Sequence, residues 1–350
     1  MEFTINNQTI TRDGDFVYLI AEAGVNHGGD INVAKEMIKK AAEAGADAIK
    51  FQTYKAEKLA SKNSPAYWDQ TKEKSNSQYE LFKKYDFFWE EEYNELANYC
   101  KECGIDFMST PFDSESAEFL NKIMPAFKIA SADLTNHPFL KQIASYDKPV
   151  ILSTGASTIG EIDEAVKVIE SQGNSKIALL HCVLSYPTKD QDAHLNMIKH
   201  LKEIYPQYVV GYSDHTVPDP ALVTITTSAF LGAKIIEKHY TLDKTLEGND
   251  HYHAMDPEDI KVFKNNMKIY NQILGQYNKE PLESEKQAIK FARRSLVAAT
   301  DIEAGTEVTK DMLTWKRPGT GISPKNIDLV IGRKVLVDIK EDDILTWEVF

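Results

Sequence analysis

Cysteine, long apolar runs and positive charge are all scarce in this sequence, and each shortage excludes a class of protein. Three cysteines, Cys100, Cys103 and Cys182, are an odd number in a chain of 350 residues, so we expect reduced thiols rather than a disulfide framework. Cys100 and Cys103 form a C-x-x-C pair, but no second pair accompanies them, which favours two cysteines on one helix over a zinc or redox site. No stretch approaches the ~18 apolar residues of a membrane-spanning helix.

The charge is strongly negative, with 53 acidic against 40 basic side chains and a formal net charge of −13. This balance argues against nucleic acid or an anionic membrane surface as a partner, although a local basic pocket could still bind a small anion. The N-terminus lacks the basic and then apolar pattern of a signal peptide, so we expect a soluble, cytoplasmic protein. With 42% hydrophobic residues, the chain can bury the core of one large domain plus a small one.

Units of apolar strand, turn and amphipathic helix repeat along most of the chain. The eight predicted strands cover residues 17–23, 48–54, 105–109, 126–130, 149–153, 177–183, 208–212 and 234–239. The predicted helices cover residues 31–44, 89–102, 114–121, 138–145, 159–171, 195–205, 220–231 and 257–275. Eight such units over ~260 residues predict an α/β fold, a (β/α)₈ TIM barrel. A doubly wound open sheet is the alternative, but residues 24–29 do not match its G-x-G-x-x-G phosphate turn.

The barrel is predicted to end at residue 275 and to be followed by two further segments. Residues 276–290 are polar and predict a linker, and residues 291–350 contain short strand-like pieces at 295–299, 334–337 and 344–348 that predict a small β-clip-like domain. So small a domain has little core of its own, and we expect it to dock on another surface.

The longest connection within the barrel, residues 55–88, carries several large side chains: Tyr67, Trp68, Gln78 and Tyr79. Long loops in compact domains are often functional. We interpret this connection as a substrate lid over the barrel mouth, with a disordered surface insertion as the alternative.

Two neighbouring predicted strands end abruptly in ionisable side chains: Asp214, His215, Glu237 and His239. In a barrel of parallel strands, the C-terminal strand ends form the mouth where catalytic groups collect. A single strand-end histidine is usually structural. Two histidines on consecutive strands, followed by Asp250 and the run His251-Tyr252-His253, indicate instead a site for a divalent metal.

Two lysines lie within otherwise apolar predicted strands, Lys50 in AIKFQ and Lys128 in AFKIAS. A buried ammonium group is costly unless it meets an anion, and the alternative is a lysine at the barrel rim whose ammonium reaches water. Three serines end neighbouring strands: Ser131, Ser153 and Ser213. Together these side chains would form a cup of positive charge and hydroxyl donors suited to a phosphate plus a carboxylate, the two anionic groups of phosphoenolpyruvate.

Nine short motifs occur in a fixed order along the chain: IAEAGVNHGG, AIKFQTY, STPFD, FKIASAD, ILSTGAS, HCVLSYPT, GYSDHT, EKHYT and KRPGTG. In this order they resemble the sialic acid synthases, the phosphoenolpyruvate-dependent synthases of N-acylneuraminate and related nonulosonic acids such as legionaminate. The resemblance covers essentially the whole chain and includes a C-terminal domain similar to the antifreeze-like or SAF domain. It implies an enzyme that condenses phosphoenolpyruvate with an N-acyl hexosamine and releases phosphate.

The resemblance also implies roles for individual residues. The metal ligands, for Mn²⁺ or Mg²⁺, would be His215 and His239. The phosphoenolpyruvate contacts would be Lys50, Lys128, Ser131, Ser153 and Ser213. The groups around the open-chain sugar and the proton transfers would be Glu22, Tyr186, Glu237 and Asp250, with Glu22 as the first choice for proton transfer. The sugar contacts from the C-terminal domain would be Phe291 and Arg317, in a swapped homodimer where this domain caps the barrel of the other subunit.

Two positions depart from the family pattern. Leu184 stands two residues before Tyr186, where some relatives carry asparagine, and Ser185 stands next to it, so one phosphate contact would be supplied differently. Gly29 stands where some relatives carry a longer polar side chain, which bears on the choice of sugar.

By resemblance, the metal would polarise the sugar aldehyde and C3 of phosphoenolpyruvate would attack it. Water would trap the positive charge at C2, and phosphate would leave by C–O cleavage. Two other interpretations stay open: a metal-dependent aldolase, lyase or hydrolase that does not use phosphoenolpyruvate, and a non-catalytic sugar-binding protein. The acceptor is open between N-acetylmannosamine, its 6-phosphate and 2,4-diacetamido-2,4,6-trideoxy hexoses, although the lack of a second basic cluster disfavours the 6-phosphate.

Overall fold

The protein is described from a computed structural model, which covers residues 2–66, 68, 70, 73–248 and 250–350. The chain divides into two compact units, Met1–Ile273 and Leu274–Phe350. The predicted domain limits, 1–275, 276–290 and 291–350, stay a prediction. Among the described residues, no helix combines the length and the apolar character needed to cross a membrane.

An N-terminal hairpin that we did not predict precedes the barrel. Its strands β1 (Glu2–Ile5) and β2 (Gln8–Thr11) pair antiparallel around a tight turn, with Asn6 at a φ of 45°. Phe3, Ile5 and Ile10 are buried in one cluster with the apolar side chains that point into the barrel. Asn6 also donates to the carboxylate of Asp106, at the N-terminal end of a barrel strand. The hairpin therefore closes the end of the barrel opposite the mouth.

Eight parallel strands form the sheet of the first unit. They are β3 (Tyr18–Gly24), β4 (Ala48–Thr53), β5 (Asp106–Pro111), β6 (Phe127–Ile129), β7 (Val150–Ser153), β8 (Ile177–Cys182), β9 (Val209–Asp214) and β10 (Ile235–His239). Their order is β5-β4-β3-β10-β9-β8-β7-β6, and the end strands β5 and β6 lie in contact, so the barrel is nearly closed. The predicted α/β barrel is confirmed, and the open doubly wound sheet was the wrong alternative.

Helices alternate with these strands. They are α1 (Ile31–Ala44), α2 (Ala56–Leu59), α3 (Gln78–Tyr85), α4 (Glu90–Cys103), α5 (Ser114–Leu120), α6 (His137–Ser145), α7 (Ile159–Glu170), α8 (Asn196–Ile204), α9 (Val223–Phe230) and α10 (Pro257–Leu274). Local signals set their ends: the Asp30 side chain accepts backbone N–H groups at the start of α1, and Gly45 ends that helix at a φ of 96°. Cys100 and Cys103 lie on α4 and, like Cys182, are free thiols.

The inward-facing positions of the barrel change from apolar to polar towards the C-terminal strand ends. Side chains alternate along a strand, so every second residue points into the barrel. The lower inward positions are apolar and fully buried: Tyr18, Ile20, Ala48, Met108, Ala126, Ile151, Leu180, Val209 and Ile235. The next inward positions are mostly polar and also buried: Glu22, Lys50, Thr110, Lys128, Ser153, Cys182, Ser213 and Glu237. The apolar layers are therefore the floor of a polar mouth.

The second unit has a buried core of its own, formed by Leu296, Ala298, Ile302, Val308, Leu313, Ile322, Val330, Val335, Ile339 and Leu345. Its elements are α11 (Lys286–Ala292), the antiparallel strands β11 (Ser295–Ala298) and β12 (Leu313–Lys316), and α12 (Ile327–Val330). Helix α11 begins inside the segment predicted as a linker. Of the three predicted strand-like pieces only the first is a strand, since Lys334 and Ile344 form single bridges instead.

Candidate active site

Five side chains of the polar layer form a connected group, which we call the lysine cluster: Glu22, Lys50, Lys128, Ser213 and Glu237. Lys50 Nζ contacts Glu22 Oε2, lies 3.7 Å from Glu237 Oε2 and donates to Thr110 Oγ1 at 2.8 Å. Lys128 Nζ lies 3.4 Å from Glu237 Oε1, and Ser213 Oγ donates to the same oxygen at 3.0 Å. Each buried ammonium group is therefore compensated by a buried carboxylate.

Burial and neighbouring charges separate the two carboxyl groups of the lysine cluster. Burial raises the pKa of Glu22 to about 7, although the ammonium of Lys50 opposes the shift. Burial also acts to raise the pKa of Glu237, but Lys128 and Lys50 outweigh it and hold that pKa below its usual range. One carboxyl group can thus hold a proton near neutral pH while the other stays ionised, the arrangement that acid–base chemistry requires.

The three predicted serines differ in how their hydroxyl groups are bonded. Ser213 donates to Glu237, as described above, and Ser131 Oγ accepts the backbone N–H of Gly155 at 2.9 Å. Ser153 is 2% exposed, and its hydroxyl has no hydrogen-bond partner within the described part of the chain. An unpaired buried hydroxyl is costly, so Ser153 is a donor that a bound anion could satisfy.

A second group, which we call the histidine cluster, contains His215, His239, Asp250 and His253. The ring centres of His215 and His239 are 5.4 Å apart, and those of His239 and His253 are 4.9 Å apart. Asp250 lies between the last two, with Oδ2 3.7 Å from His239 Nδ1 and Oδ1 3.6 Å from His253 Nε2. The ligand atoms of His239, Asp250 and His253 all lie within 4.8 Å of one another, so this group could hold a metal ion.

The chemistry of the donors in the histidine cluster fits a divalent metal. His215 Nδ1 lies 2.8 Å from the carbonyl oxygen of Val183, which accepts its proton and leaves Nε2 as the lone-pair donor. Burial lowers the pKa of His215 to about 4 and that of His239 well below its usual value, so both rings are neutral at pH 7 and can ligate. Nδ1 of His239 is also buried without a hydrogen-bond partner among the described residues. The predicted pair of histidines is therefore brought together, and the role of each as a ligand stays a prediction.

Asp214, the remaining ionisable residue at these strand ends, does not join either cluster. Its Oδ2 lies 2.5 Å from Lys238 Nζ on β10, and both side chains are 1% exposed. The Tyr212 hydroxyl and the Thr216 N–H donate to the other carboxylate oxygen, and Lys238 also donates to the Thr216 carbonyl at 2.7 Å. Because side chains alternate along a strand, this pair faces away from the mouth. It ties β9 to β10, the two strands that contribute to both clusters.

A cavity of about 180 Å³ opens beside Asp250 and includes Gln52 and Tyr54 in its wall. Leu81, Phe82 and Tyr85 of α3 line it, so part of the predicted lid segment lies at the mouth. Its charged lining among the described residues consists of carboxylates and contains no lysine or arginine: Glu73, Glu247 and Asp250.

The four large side chains that we predicted to form the lid do not share one location. Trp68 Nε1 donates to the carbonyl oxygen of Glu73 at 3.0 Å. Gln78 and Tyr79 begin α3 and are half-buried outside the cavity wall. Tyr67 lies outside the described residues.

Comparisons with known proteins find matches along almost the whole chain. The NeuB family model matches residues 37–279, and the SAF domain model matches residues 293–350. An uncharacterised protein of Methanocaldococcus jannaschii is 47% identical over 336 residues, which cover 96% of this chain and 95% of that protein. The chain belongs to the NeuB family.

Two further NeuB-type relatives have descriptive names. The N,N'-diacetyllegionaminic acid synthase of Legionella pneumophila is 38% identical over 95% of this chain and 94% of its own. A crystal structure of N-acetylneuraminic acid (sialic acid) synthetase from Leptospira borgpetersenii, in complex with citrate, has a TM-score of 0.73 at 36% identity and covers 83% of this chain and 95% of that chain. The resemblance to the sialic acid synthases is thereby confirmed, as are the SAF domain and an enzyme of the N-acylneuraminate synthase type.

The remaining predicted sugar contacts of this NeuB-family chain lie in two places. The ring centre of Tyr186 is 4.2 Å from that of His215 and 6.2 Å from that of His253, so Tyr186 lies beside the histidine cluster. Phe291 and Arg317 are exposed side chains of the second unit. Their contact with a sugar stays a prediction.

The two departures from the family pattern have different surroundings. Ser185 donates to the carbonyl oxygen of Pro187 at 3.2 Å, so its hydroxyl has a backbone partner. Gly29 has a φ of 81°, and a Cβ added there would lie 2.4 Å from the ring of Phe87. A longer side chain at position 29 would therefore have to displace Phe87, which is 59% exposed.

Three polar contributors to the site were given no individual role from the sequence. Gln52 donates to Glu22 Oε1 at 3.0 Å, and Thr110 accepts from Lys50. Both lie at strand ends, where the alternation along the strand turns them towards the mouth. His253 lies in a loop beyond β10, and the only signal for it was the run of histidines after Asp250.

Proposed function

We propose that this NeuB-family enzyme condenses phosphoenolpyruvate with an N-acyl hexosamine to give a nonulosonic acid and phosphate. The observation that carries the proposal is the lysine cluster, in which two buried ammonium groups share one carboxylate at the barrel mouth. A protein with a net charge of −13 has no general attraction for anions, so paired lysines inside its barrel require a specific role. Phosphoenolpyruvate, which carries a phosphate and a carboxylate, matches two such groups.

In this proposal Lys50 and Lys128 bind the anionic groups of phosphoenolpyruvate, assisted by the hydroxyl groups of Ser131, Ser153 and Ser213. Glu237 fixes both ammonium groups before the substrate arrives, with separations of 3.7 and 3.4 Å. Positive charges held in advance, above an apolar floor, stabilise the charge that develops on the leaving phosphate without rearrangement of the site.

Glu22 is our assignment for the proton transfers. With a pKa of about 7 it can carry a proton at neutral pH and give it to the aldehyde oxygen as C3 of phosphoenolpyruvate bonds to the aldehyde carbon. Water then adds to C2, and ionised Glu22 takes up the proton that this water loses. Cleavage of the bond between C2 and the phosphate oxygen completes the reaction, with the proton of the new C2 hydroxyl leaving on the phosphate. Asp250 and Tyr186 would orient the sugar beside the histidine cluster.

A divalent metal would be held by His215 and His239 together with Asp250. When bound there, it would supply Lewis-acid polarisation of the sugar aldehyde. Neutral imidazole and carboxylate donors suit Mn²⁺ better than Mg²⁺, which prefers a shell of oxygen ligands.

For the acceptor we propose a 2,4-diacetamido-2,4,6-trideoxy hexose, with N-acetylmannosamine as the second candidate. The carboxylates in the cavity wall would repel a sugar phosphate, which disfavours the 6-phosphate. Leu81, Phe82 and Tyr85 offer apolar surface to the methyl groups of the diacetamido sugar. The name of the Legionella relative supports the first candidate, and the name of the Leptospira structure supports the second.

The test is phosphate release from phosphoenolpyruvate by the full chain loaded with Mn²⁺, with each of the three acceptors and with a chelator control. We expect metal-dependent release with the diacetamido sugar, and the same assay on Lys50→Met should give almost none. Release with N-acetylmannosamine alone would transfer the assignment to the second acceptor. A metal-loaded protein that releases no phosphate with any acceptor would contradict the synthase proposal and favour a lyase or a sugar-binding protein.

We also propose that the second unit caps the barrel of a partner subunit, through Phe291 and Arg317. Co-expressed Lys50→Met and Arg317→Ala chains test this arrangement. In a swapped mixed dimer, the intact barrel of the Arg317→Ala chain would be capped by the second unit of the Lys50→Met chain, which keeps Arg317. We expect the mixed dimer to recover activity that neither variant shows alone. Activity no greater than the sum of the separate variants, in a sample shown by light scattering to contain mixed dimers, would contradict the swap.

A further inference from the structure

His253 is buried in the histidine cluster, and the nearest polar neighbour of its ring is Asp250, whose Oδ1 lies 3.6 Å from Nε2, beyond hydrogen-bond distance. His253 is 0% exposed, and neither of its ring nitrogens has a hydrogen-bond partner within the described residues. A neutral imidazole carries one N–H donor and one acceptor, so an unpaired ring in the interior is costly. A structural histidine satisfies at least one nitrogen, as His181 does with the carbonyl oxygen of Ala193 at 2.8 Å.

A ring nitrogen of His253 lies close to the donor atoms of two neighbouring side chains. His253 Nε2 lies 3.6 Å from Asp250 Oδ1, and a ligand atom of His239 completes a group with no separation above 4.8 Å. Donors that share one metal at bond lengths of ~2.1 Å lie about 3–3.5 Å apart, so closure of this group requires only a small movement. Packing of Tyr186 against His215, His239 and His253 keeps the three rings on one side of the mouth.

We propose that His253 is a metal ligand, so that this chain binds its metal through three imidazoles and one carboxylate: His215, His239, His253 and Asp250. This proposal rests on the proposed function in one respect, that the enzyme uses a divalent metal. The third nitrogen ligand and the metal preference that follows from it are additional. Imidazole favours later first-row ions such as Fe²⁺, Co²⁺ and Zn²⁺, whereas Mg²⁺ prefers oxygen. The site therefore selects a transition metal and rejects Mg²⁺.

The test is metal binding by the full chain, measured without substrates. Metal-free wild type and His253→Leu are titrated with Co²⁺ and Mn²⁺, followed by calorimetry, by the visible absorption of bound Co²⁺ and by the shift in Tm. The control is His200→Ala, which removes an exposed imidazole on α8.

We expect His253→Leu to bind Co²⁺ at least ~10-fold more weakly, with a smaller loss for Mn²⁺ and a changed absorption spectrum. The Tm of the metal-free variant should equal or exceed that of wild type, because leucine removes two unpaired nitrogens, and its metal-induced shift in Tm should be smaller. His200→Ala should match wild type throughout.

An unchanged Co²⁺ affinity and spectrum in His253→Leu would overturn the proposal, as would a lower metal-free Tm combined with an unchanged metal-induced shift. If leucine prevents folding, His253→Asn gives the same comparison. Because no substrate is present, the result is independent of the synthase assay. A chain that binds Co²⁺ through His253 but never releases phosphate would reject the proposed function alone.

Discussion

The lysine cluster and the histidine cluster share one barrel mouth, yet their polar atoms are satisfied in different ways. In the lysine cluster each ammonium group meets a carboxylate, and Ser213 and Gln52 bond to the same carboxylates. In the histidine cluster several ring nitrogens are buried without a hydrogen-bond partner among the described residues. The charges of the lysine cluster are balanced within the protein, although two of its carboxylate oxygens, Glu22 Oε2 and Glu237 Oε2, have ion-pair contacts but no hydrogen bond among the described residues. The unpaired ring nitrogens of the histidine cluster carry no charge and are available to a ligand.

This difference indicates how each cluster meets its ligand. A compensated ion pair can exchange one anion for another, so Lys50 and Lys128 can receive a substrate that comes and goes at each turnover. Unpaired imidazoles bring no counter-charge and suit an ion that stays bound. We therefore expect changes in the lysine cluster to affect turnover and substrate affinity, and changes in the histidine cluster to affect metal binding first.

The largest effect is expected from Glu22→Gln, which keeps the shape of the side chain but cannot transfer a proton. We expect kcat/KM for phosphoenolpyruvate to fall about 10²- to 10⁴-fold, the usual contribution of a general acid–base group. In the wild type kcat/KM should decrease above a pH near 7, where Glu22 ionises, and this limb should be absent from the variant. Steady-state kinetics from pH 5 to 9 measure both.

The same carboxyl group gives a stability prediction of known sign. A raised pKa in the folded state means that folding takes up a proton, so the stabilisation is complete below the ordinary glutamate pKa of 4.5 and is lost as the pH rises through about 7. Relative to Glu22→Gln, the wild type should therefore lose stability between these pH values in urea titrations.

Full turnover by Glu22→Gln would contradict the assignment of Glu22 to the proton transfers. The control for both measurements is Glu43→Gln, on the exposed face of α1.

Lys238→Met should weaken both clusters together, because Lys238 holds the two strands that contribute to both. It leaves Asp214 buried without its ammonium partner, which we expect to cost about 3–5 kcal/mol in the free energy of unfolding. Since the pair ties β9 to β10, affinity for both metal and phosphoenolpyruvate should weaken. The double variant Asp214→Leu with Lys238→Met should recover most of the stability. A single variant as stable as wild type would show that the pair does not hold the strands.

Lys50→Met and Lys128→Met should separate the clusters instead. We expect each to lower kcat/KM for phosphoenolpyruvate by about 10²- to 10³-fold, as when one preorganised charge donor is removed. Co²⁺ affinity should stay near that of wild type, because neither lysine belongs to the histidine cluster. The matched control is Lys167→Met on the surface of α7, which loses only an exposed pair with Asp163. Equal losses of metal binding and phosphoenolpyruvate affinity would contradict the division into two clusters.

The sequence was sufficient for the barrel because each strand repeats one pattern, apolar inward positions followed by a polar one. Lys50 and Lys128 could be recognised because each interrupts an apolar strand. The N-terminal hairpin was missed although Phe3 and Ile5 alternate with polar residues before an Asn-Asn turn, because four-residue strands provide few repeats of the pattern. In the second unit, Lys334 and Ile344 form single bridges rather than ladders, which no periodicity distinguishes from a strand.

Within the candidate site, the sequence indicated which residues face the mouth but not which atoms meet. Asp214 was grouped with His215 because they are neighbours in sequence. Asp214 is the last residue of β9 and points away from the barrel interior, where the parallel register brings Lys238 to it, whereas His215 follows the strand and joins the histidine cluster. His253 lies in a loop, where no repeat fixes the direction of a side chain. Charge compensation, which distinguishes the two clusters, requires three-dimensional positions.

The smallest expected effect comes from two serines that the sequence could not distinguish. Ser153→Ala removes a buried hydroxyl without a partner among the described residues, so the free energy of unfolding should equal or exceed that of the wild type. Ser131→Ala removes the acceptor of the Gly155 N–H and should cost about 1–3 kcal/mol. If Ser153 donates to the bound anion, its loss should raise KM for phosphoenolpyruvate about 10-fold. A destabilised Ser153→Ala with an unchanged KM would mean that this hydroxyl supports the fold, and the lysine cluster would then bind its anion without it.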